Sequence, residues 1–220
     1  METVNSCEIC GSREIQSAYS RRFPLLFYGE DVQCCRECGL LFLSPRMDEE
    51  ELKKFYCTRF ATEKCYQRAR PEYQKLAEEH FDALKPYLKG RILEVGCGKG
   101  YLIRLLKQAG YDAQGTEIGT RSEVTIVELS GRYDIVLLIH VLEHLPQPRK
   151  MLRELHDITD RIYIEIPAYD MAKMHSGYHH SAHLYDFSRD HLKRLLQEEG
   201  WNISKEFYYK HHAKWYGIVT

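Results

Sequence analysis

Two cysteine pairs, Cys7-Glu-Ile-Cys10 and Cys35-Arg-Glu-Cys38, stand roughly two dozen residues apart near the start of the chain. Each pair presents two thiols from one tight turn, and a glycine follows each second cysteine. Two such turns close a tetrahedral four-thiolate zinc site, so Cys7, Cys10, Cys35 and Cys38 are the expected metal ligands. Cys34 competes with Cys35, but only Cys35 keeps the two-residue gap; reduced, unmetallated cysteines are the bland alternative. A second group is Glu94-Val-Gly96-Cys97-Gly98-Lys-Gly100, an acid two residues ahead of three alternating glycines. Backbone without a Cβ can turn sharply there and approach a ligand, and the helix that follows offers unpaired N–H groups. A third is the histidine-rich stretch from Met174 to Phe187, containing His179, His180, His183 and Tyr185. Histidine titrates near neutrality and can take a proton from a hydroxyl or an acidic carbon. A metal site is a rival use of those histidines, and hydrogen bonding that packs the loop is another for His183 and Tyr185.

The elements that must hold these groups follow from the apolar pattern. Ile92, Leu93 and Val95 make a short buried strand, and Leu102, Leu105 and Leu106 recur at helical spacing, placing the glycines at a strand-to-helix turn. Tyr111–Glu117 reads as a second strand ending in an acid, at the distance where Rossmann-like folds set a carboxylate on ribose hydroxyls. Only six residues then precede the apolar run Val124–Val127, too few for the usual crossover helix. The sheet is therefore expected to be shortened by a strand or helix at that point, with Glu128 as a substitute adenine contact. Arg132–His140 is an acid-led strand, followed by a loop and a helix ending at Leu155. Arg161–Pro167 is a further strand and Ser188–Glu199 a helix. The tail gives two strands around the basic turn Lys210–Lys214. Upstream, Gly39–Arg46 is a strand ending at a proline, Glu49–Tyr56 a helix with acids in its first turn, and Pro71–Leu88 a helix.

Composition is that of an ordinary globular chain of 220 residues, 44% hydrophobic and 29% charged. With 31 basic and 32 acidic residues the net charge is −1, so no nucleic-acid field is expected. No apolar run approaches the roughly 20 residues that span a membrane. The start lacks a basic segment followed by an apolar one, and the cysteine usage suits a reducing compartment, so a cytoplasmic location is expected.

The E-x-G-x-G-x-G pattern at Glu94–Gly100 resembles motif I of class I S-adenosylmethionine (SAM)-dependent methyltransferases. In that family the turn accommodates the methionine and ribose of SAM, and the acid orients the amino-acid end. The resemblance implies Glu94, Gly96, Cys97, Gly98, Gly100, Glu117 and His140 as cofactor-binding residues. His140-Val-Leu-Glu143-His144-Leu-Pro-Gln-Pro148 closely resembles the family's fourth strand with its E-H-L-x-x-P signature, in which Glu143 and His144 close the pocket and tie the loop. The cysteine module, the Leu40–Arg46 segment (L-x-F-x-x-P-R) and the Glu50–Tyr56 segment (E-E-L-x-x-x-Y) resemble a subset that includes sugar C-methyltransferases. There the module helps shape the substrate pocket, which makes Arg46 and Tyr56 candidate substrate contacts, against a surface salt bridge and core packing. His183-Leu-Tyr-Asp-Phe-Ser resembles a stretch ahead of the late helix in these relatives, where a histidine pair is separated by one residue; His180 and His183 are separated by two.

The resemblance implies an α/β fold with a Rossmann-like methyltransferase sheet and a small zinc-binding module. The implied layout is the zinc module at 1–48, a helical linker or cap at 49–88, and a SAM-binding domain at 89–220. The expected activity is SAM-dependent methylation of a small molecule, a sugar or another biosynthetic intermediate, with SAM and Zn2+ as cofactors. His180, His183, Tyr185 and His140 are the expected catalytic set. No nucleic-acid or membrane partner is expected. The alternative is a degenerate methyltransferase fold acting as a binding or scaffold subunit.

Overall fold

The computed structural model describes residues 1–20, 31–57, 63–117, 129–167, 183–210 and 214–220. In chain order the elements are β1 (Ile15–Ser20), β2 (Asp31–Cys35), β3 (Leu41–Ser44), α1 (Glu49–Phe55), α2 (Glu63–Leu84), β4 (Arg91–Val95), α3 (Tyr101–Gln108), β5 (Asp112–Thr116), β6 (Ile135–Ile139), α4 (Pro148–Leu155), β7 (Ile162–Pro167), β8 (Tyr185–Asp186), α5 (Arg189–Glu198), β9 (Lys205–Lys210) and β10 (Lys214–Val219). A six-stranded sheet runs in the order β5-β4-β6-β7-β10-β9, and a four-stranded sheet in the order β1-β2-β3-β8. No described helix is long and apolar enough to cross a membrane.

The chain divides into two compact units. One comprises Glu50–Ile139 and Glu154–Tyr163. At its centre β4 pairs in parallel with β5 and β6, Leu93 lying opposite Gln114 on one side and Val136 on the other. Parallel strands covered on both faces read as near-continuous apolar runs, and Ile92, Leu93, Ile135, Val136, Leu137 and Leu138 are all solvent-inaccessible, with Glu94 the buried charged exception in β4. Each such side chain contributes about 1.5–3 kcal/mol relative to exposure. α3 buries Leu102, Ile103 and Leu106 and leaves its other face wet, the stripe its sequence spacing predicts. α2 starts at Glu63 and carries Pro71 inside it, eight residues earlier than the start expected at that proline. Tyr73 of α2 stacks on Tyr101 at the first turn of α3, ring centroids 6.5 Å apart.

The other unit comprises Met1–Glu49, His140–Arg153 and Ile164–Thr220. β1, β2 and β3 form an antiparallel meander, and β3 adds β8 through Leu41 opposite Asp186 and Phe42 opposite Tyr185. The tail strands β9 and β10 pair antiparallel along their whole length, as the sequence pattern predicts. Ser188 caps α5 by accepting from the His191 N–H, and His191 Nδ1 accepts from the Ser188 N–H in return. The expected strand Val124–Val127 and the residue Glu128 lie outside the described residues. Among the described residues β5 is an edge strand of the sheet.

Gly115 in β5 lies opposite Glu94, and a Cβ there would stand 2.5 Å from Cys97 Sγ and 2.9 Å from Cys97 Cβ. The second distance involves an atom anchored to backbone, so the strand or the glycine turn must move. Gly115→Ala is expected to destabilise the chain by about 1–3 kcal/mol, read as a lower urea midpoint. An unchanged midpoint would contradict the close approach.

Candidate functional site

The glycine turn joins β4 to α3. Gly96, Gly98 and Gly100 all adopt left-handed backbone, with φ of 70°, 52° and 73°. A side chain at any of them would meet the steric cost that glycine avoids, which is why three glycines alternate here. The N–H groups of Gly96 and Cys97 both donate to Thr116 O, at 2.8 and 3.2 Å, tying the turn to the end of β5. Glu117, the residue after β5, accepts from the Gly98 N–H through Oε2 at 2.8 Å. The turn therefore holds a carboxylate in place with its own backbone. Glu94 is buried, and its Oε2 has no hydrogen-bond partner among the described residues. Burial first, and the neighbouring Glu117 charge second, push its pKa from 4.5 up to about 8. Such a carboxylate suits a cationic ligand group that would pair with it.

The four cysteines converge beside the start of β1 and the end of β2. Their Sγ atoms lie within 4.8 Å of one another, with Cys7–Cys38 at 3.5 Å and Cys10–Cys35 at 3.4 Å. Tetrahedral zinc with Zn–S near 2.3 Å needs sulfur separations of roughly 3.8 Å, so the donor set fits that ion. All four are free thiols. Burial raises Cys7 and Cys38, Cys38 to about 11. At Cys35 burial acts in the same direction, but N–H groups of Cys38 and Glu37 and the Cys10 thiol outweigh it and bring it down to about 7. Backbone around the cysteines is itself held. Arg149 donates to the carbonyls of Glu8 and Ile9, each at 2.6 Å, and pairs with Glu198 and Glu199. His191 Nδ1 accepts a backbone N–H, so its Nε2 carries the proton and donates to Cys38 O at 2.8 Å.

His140 follows β6 directly and is the one described non-glycine residue with positive φ, at 53°. Its ring lies between two buried carboxylates, Nδ1 3.4 Å from Glu143 Oε1 and Nε2 3.2 Å from Glu165 Oε1. Burial alone would lower its pKa, but the two carboxylates outweigh this and raise it to about 9. The strained backbone and the paired ring mark a deliberately placed group. Tyr185 in β8 is fully buried, donates to Pro146 O at 3.0 Å and accepts from Arg46 Nη1. Burial raises its pKa above the ordinary phenol range.

Arg46 has two candidate settings in sequence, a substrate contact or a surface salt bridge; the structure shows it 5% exposed. It donates to Glu2 Oε1 at 2.7 Å, to Pro146 O at 2.9 Å and to the Tyr185 hydroxyl, and its guanidinium lies over the Tyr185 ring. One fork thus joins the N-terminus, the loop before α4 and β8. Arg46→Ala removes the bonds to Glu2, Pro146 and Tyr185 from a buried cluster, where the Tyr185–Pro146 bond then stands without the guanidinium, and is expected to cost about 3 kcal/mol, measured by urea unfolding. Tyr185→Phe removes one hydroxyl and should cost clearly less; equal losses would contradict the brace.

Comparison with known proteins bears on these features. Residues 60–206 match the family model described as a methyltransferase domain. The chain belongs to the methyltransferase-domain family. A ubiquinone biosynthesis O-methyltransferase of Bordetella avium (strain 197N) is 32% identical over 98 residues, 34% of this chain and 41% of that protein. One of Pseudomonas aeruginosa (strain UCBPP-PA14) is 25% identical over 91 residues, 31% of this chain and 39% of that protein. The chain thus spans about two fifths of the length of these curated relatives. Among solved structures, the magnesium protoporphyrin IX methyltransferase of Synechocystis PCC 6803 with bound SAH superposes with a TM-score of 0.57 at 16% identity, covering 78% of this chain and 99% of that one. A SAM-dependent methyltransferase from Archaeoglobus fulgidus gives 0.54 at 18% identity, covering 66% and 93%. The methyltransferase fold expected from sequence is therefore the observed one.

Within this methyltransferase domain the structure brings Glu94, Gly96, Cys97, Gly98, Gly100 and Glu117 to one turn. His180, with the neighbouring His179, lies outside the described residues. His183 is buried and packs edge-on against His144, ring centroids 4.7 Å apart. Tyr56, at the end of α1, packs edge-on against Phe55. Glu165 carries no signal of its own in sequence: it reads as one more residue of an apolar strand until its partner His140 is seen. The same holds for Gly115, whose need for glycine comes from Cys97 across the sheet.

Proposed function

We propose that this protein is a SAM-dependent methyltransferase acting on a small-molecule acceptor. The observation that carries the reading is the buried Glu94 carboxylate, with an oxygen lacking any described partner, at the head of three left-handed glycines. The amino-acid end of SAM carries an ammonium group that would satisfy that oxygen. Glu117, held by the turn's own backbone, would receive the ribose hydroxyls. The chain's part in catalysis is then to hold the sulfonium methyl in line with the acceptor, where orientation supplies much of the rate. Family membership, and relatives named for O-methylation in ubiquinone biosynthesis, favour a small biosynthetic acceptor; sugars belong to the same class. Of the expected catalytic set, His180 and His183 are the groups proposed to take the acceptor's proton, since His140 holds its own proton between two carboxylates and the Tyr185 phenol is buried and donates to Pro146 O. We further propose that Cys7, Cys10, Cys35 and Cys38 hold zinc as a structural ion, since four cysteine sulfurs would fill a tetrahedral shell and leave no position open.

The test is transfer of labelled methyl from SAM to the low-molecular-weight fraction of a cell extract. Label appearing there with the wild-type chain, and lost in Glu117→Ala, supports the assignment. Label never transferred would leave the chain a fold without the activity, and label retained in full by the variant would exclude Glu117 from the cofactor site.

A further inference from the structure

The segment Leu142–His144 forms a 3-10 turn, and His183 immediately precedes Leu184 and β8. Backbone fixes these two places against each other. The Leu184 N–H donates to Glu143 O at 2.8 Å, and Leu184 O accepts from the Leu43 N–H at 3.0 Å. As a result the ligand atoms of Glu143, His144 and His183 all lie within 4.8 Å of one another. The two imidazoles meet edge to face, with 78° between their planes. Glu143 is 1% exposed, and neither of its carboxylate oxygens accepts a hydrogen bond among the described residues. The imidazole nitrogens of His140 and His144 stand 3.4 and 4.0 Å from its Oε1, too far for His144 to act as a donor and long for His140. The His140 ring, beside Oε1 at 3.4 Å, offsets part of the cost of burying this carboxylate, while both oxygens keep lone pairs that a bound cation would fill.

Two imidazoles and one carboxylate are the donor set of borderline divalent ions, and three protein ligands leave coordination positions open. We propose that Glu143, His144 and His183 bind a divalent transition-metal ion, at a site that shares no residue with the four-cysteine cluster. The open positions would be taken by water or by an oxygen-bearing ligand. The proposal does not rest on SAM binding; with His183 as a ligand, His180 is the histidine left to serve as the proposed base.

Manganese(II) distinguishes the two clusters, because four thiolates select zinc whereas imidazole and carboxylate accept the harder ion. The full chain, carrying a single equivalent of zinc on its four cysteines, is titrated with Mn2+ while the electron paramagnetic resonance signal of the free aqua ion is followed. The expected result is one Mn2+ bound per chain, with affinity reduced at least ~10-fold in His183→Gln at unchanged zinc content. His144→Gln, which leaves the Leu184–Glu143 backbone bond intact, should give the same loss and serves if the first variant does not fold. No depletion of free Mn2+ by the wild-type chain, or equal depletion by the folded variants, would overturn the site.

Discussion

Treating the purified chain with a strong chelator is expected to lower its thermal midpoint by more than ~10 °C, and adding zinc back to restore it, if the four cysteines hold zinc as proposed. Among the described residues, the cysteine turns are otherwise tied mainly by the Arg149 and His191 bonds to Glu8, Ile9 and Cys38 carbonyls. β1 and β2 are short strands, and the turn that presents Cys7 and Cys10 carries only Ile9 as a large buried apolar residue. Strands this short bury little apolar area of their own, so metal–ligand bonds would supply stability to this part of the unit. Structural zinc sites contribute about 10–16 kcal/mol in isolated peptides near neutral pH. Part of that is spent on deprotonating the thiols, above all the buried Cys7, which leaves a smaller net effect. Even ~5 kcal/mol shifts the midpoint of a chain this long by about 10–20 °C. Cys38→Ser should reproduce the loss without chelator. Well under one zinc per chain in purified protein, together with an unchanged midpoint in the variant, would remove the zinc site.

The second large effect concerns Glu94. Its folded-state pKa of about 8 lies above the 4.5 of an ordinary carboxylate, so the folded state favours the neutral form. That favour is fully present below pH 4.5 and is lost as pH rises toward 8, where the fold carries the buried charge. Glu94→Gln keeps the shape and removes the charge. The variant should lack this loss and be the more stable chain at pH 8 in the absence of ligand. Ligand binding runs the other way. An ammonium beside Glu94 favours the carboxylate, so SAM or S-adenosylhomocysteine binding releases a proton below pH 8. Affinity should rise between pH 5.5 and 7.5, by at most ~10-fold per pH unit. Calorimetry in two buffers of different ionisation heat reads the released proton directly. In Glu94→Gln the slope should disappear and affinity fall by ~10–100-fold, the range for a hydrogen bond to a charged group. A variant that keeps both the affinity and the pH slope would exclude Glu94 from the cofactor's amino end.

What the sequence disclosed and what it hid divide along physical lines. The glycine turn was legible because glycines alternating after an apolar strand suit little besides a tight left-handed backbone, and all three prove left-handed. The closing pair β9–β10 was legible from two apolar, aromatic runs around a basic turn. The cysteine spacing identified a cluster whose sulfurs do converge. The pairing of β8 with β3 was not legible: two residues, Tyr185 and Asp186, carry no periodic signal, and their partners lie some 140 positions away. The burial of Arg46 was hidden for the same reason, since its acceptors Pro146 and Tyr185 are remote in sequence. The metal-ligand geometry at Glu143, His144 and His183 likewise depends on a backbone bond between distant segments.

Everything functional rests on the turn around Gly98 receiving an adenosyl sulfur ligand. Isothermal titration of the wild-type chain with S-adenosylhomocysteine at pH 7.5 asks this directly, without any knowledge of the acceptor. A single saturable site is expected, with Kd on the order of 10 μM, about −7 kcal/mol, weakened in Glu94→Gln. No heat up to millimolar ligand, from protein whose zinc content and unfolding midpoint are normal, would refute that binding role.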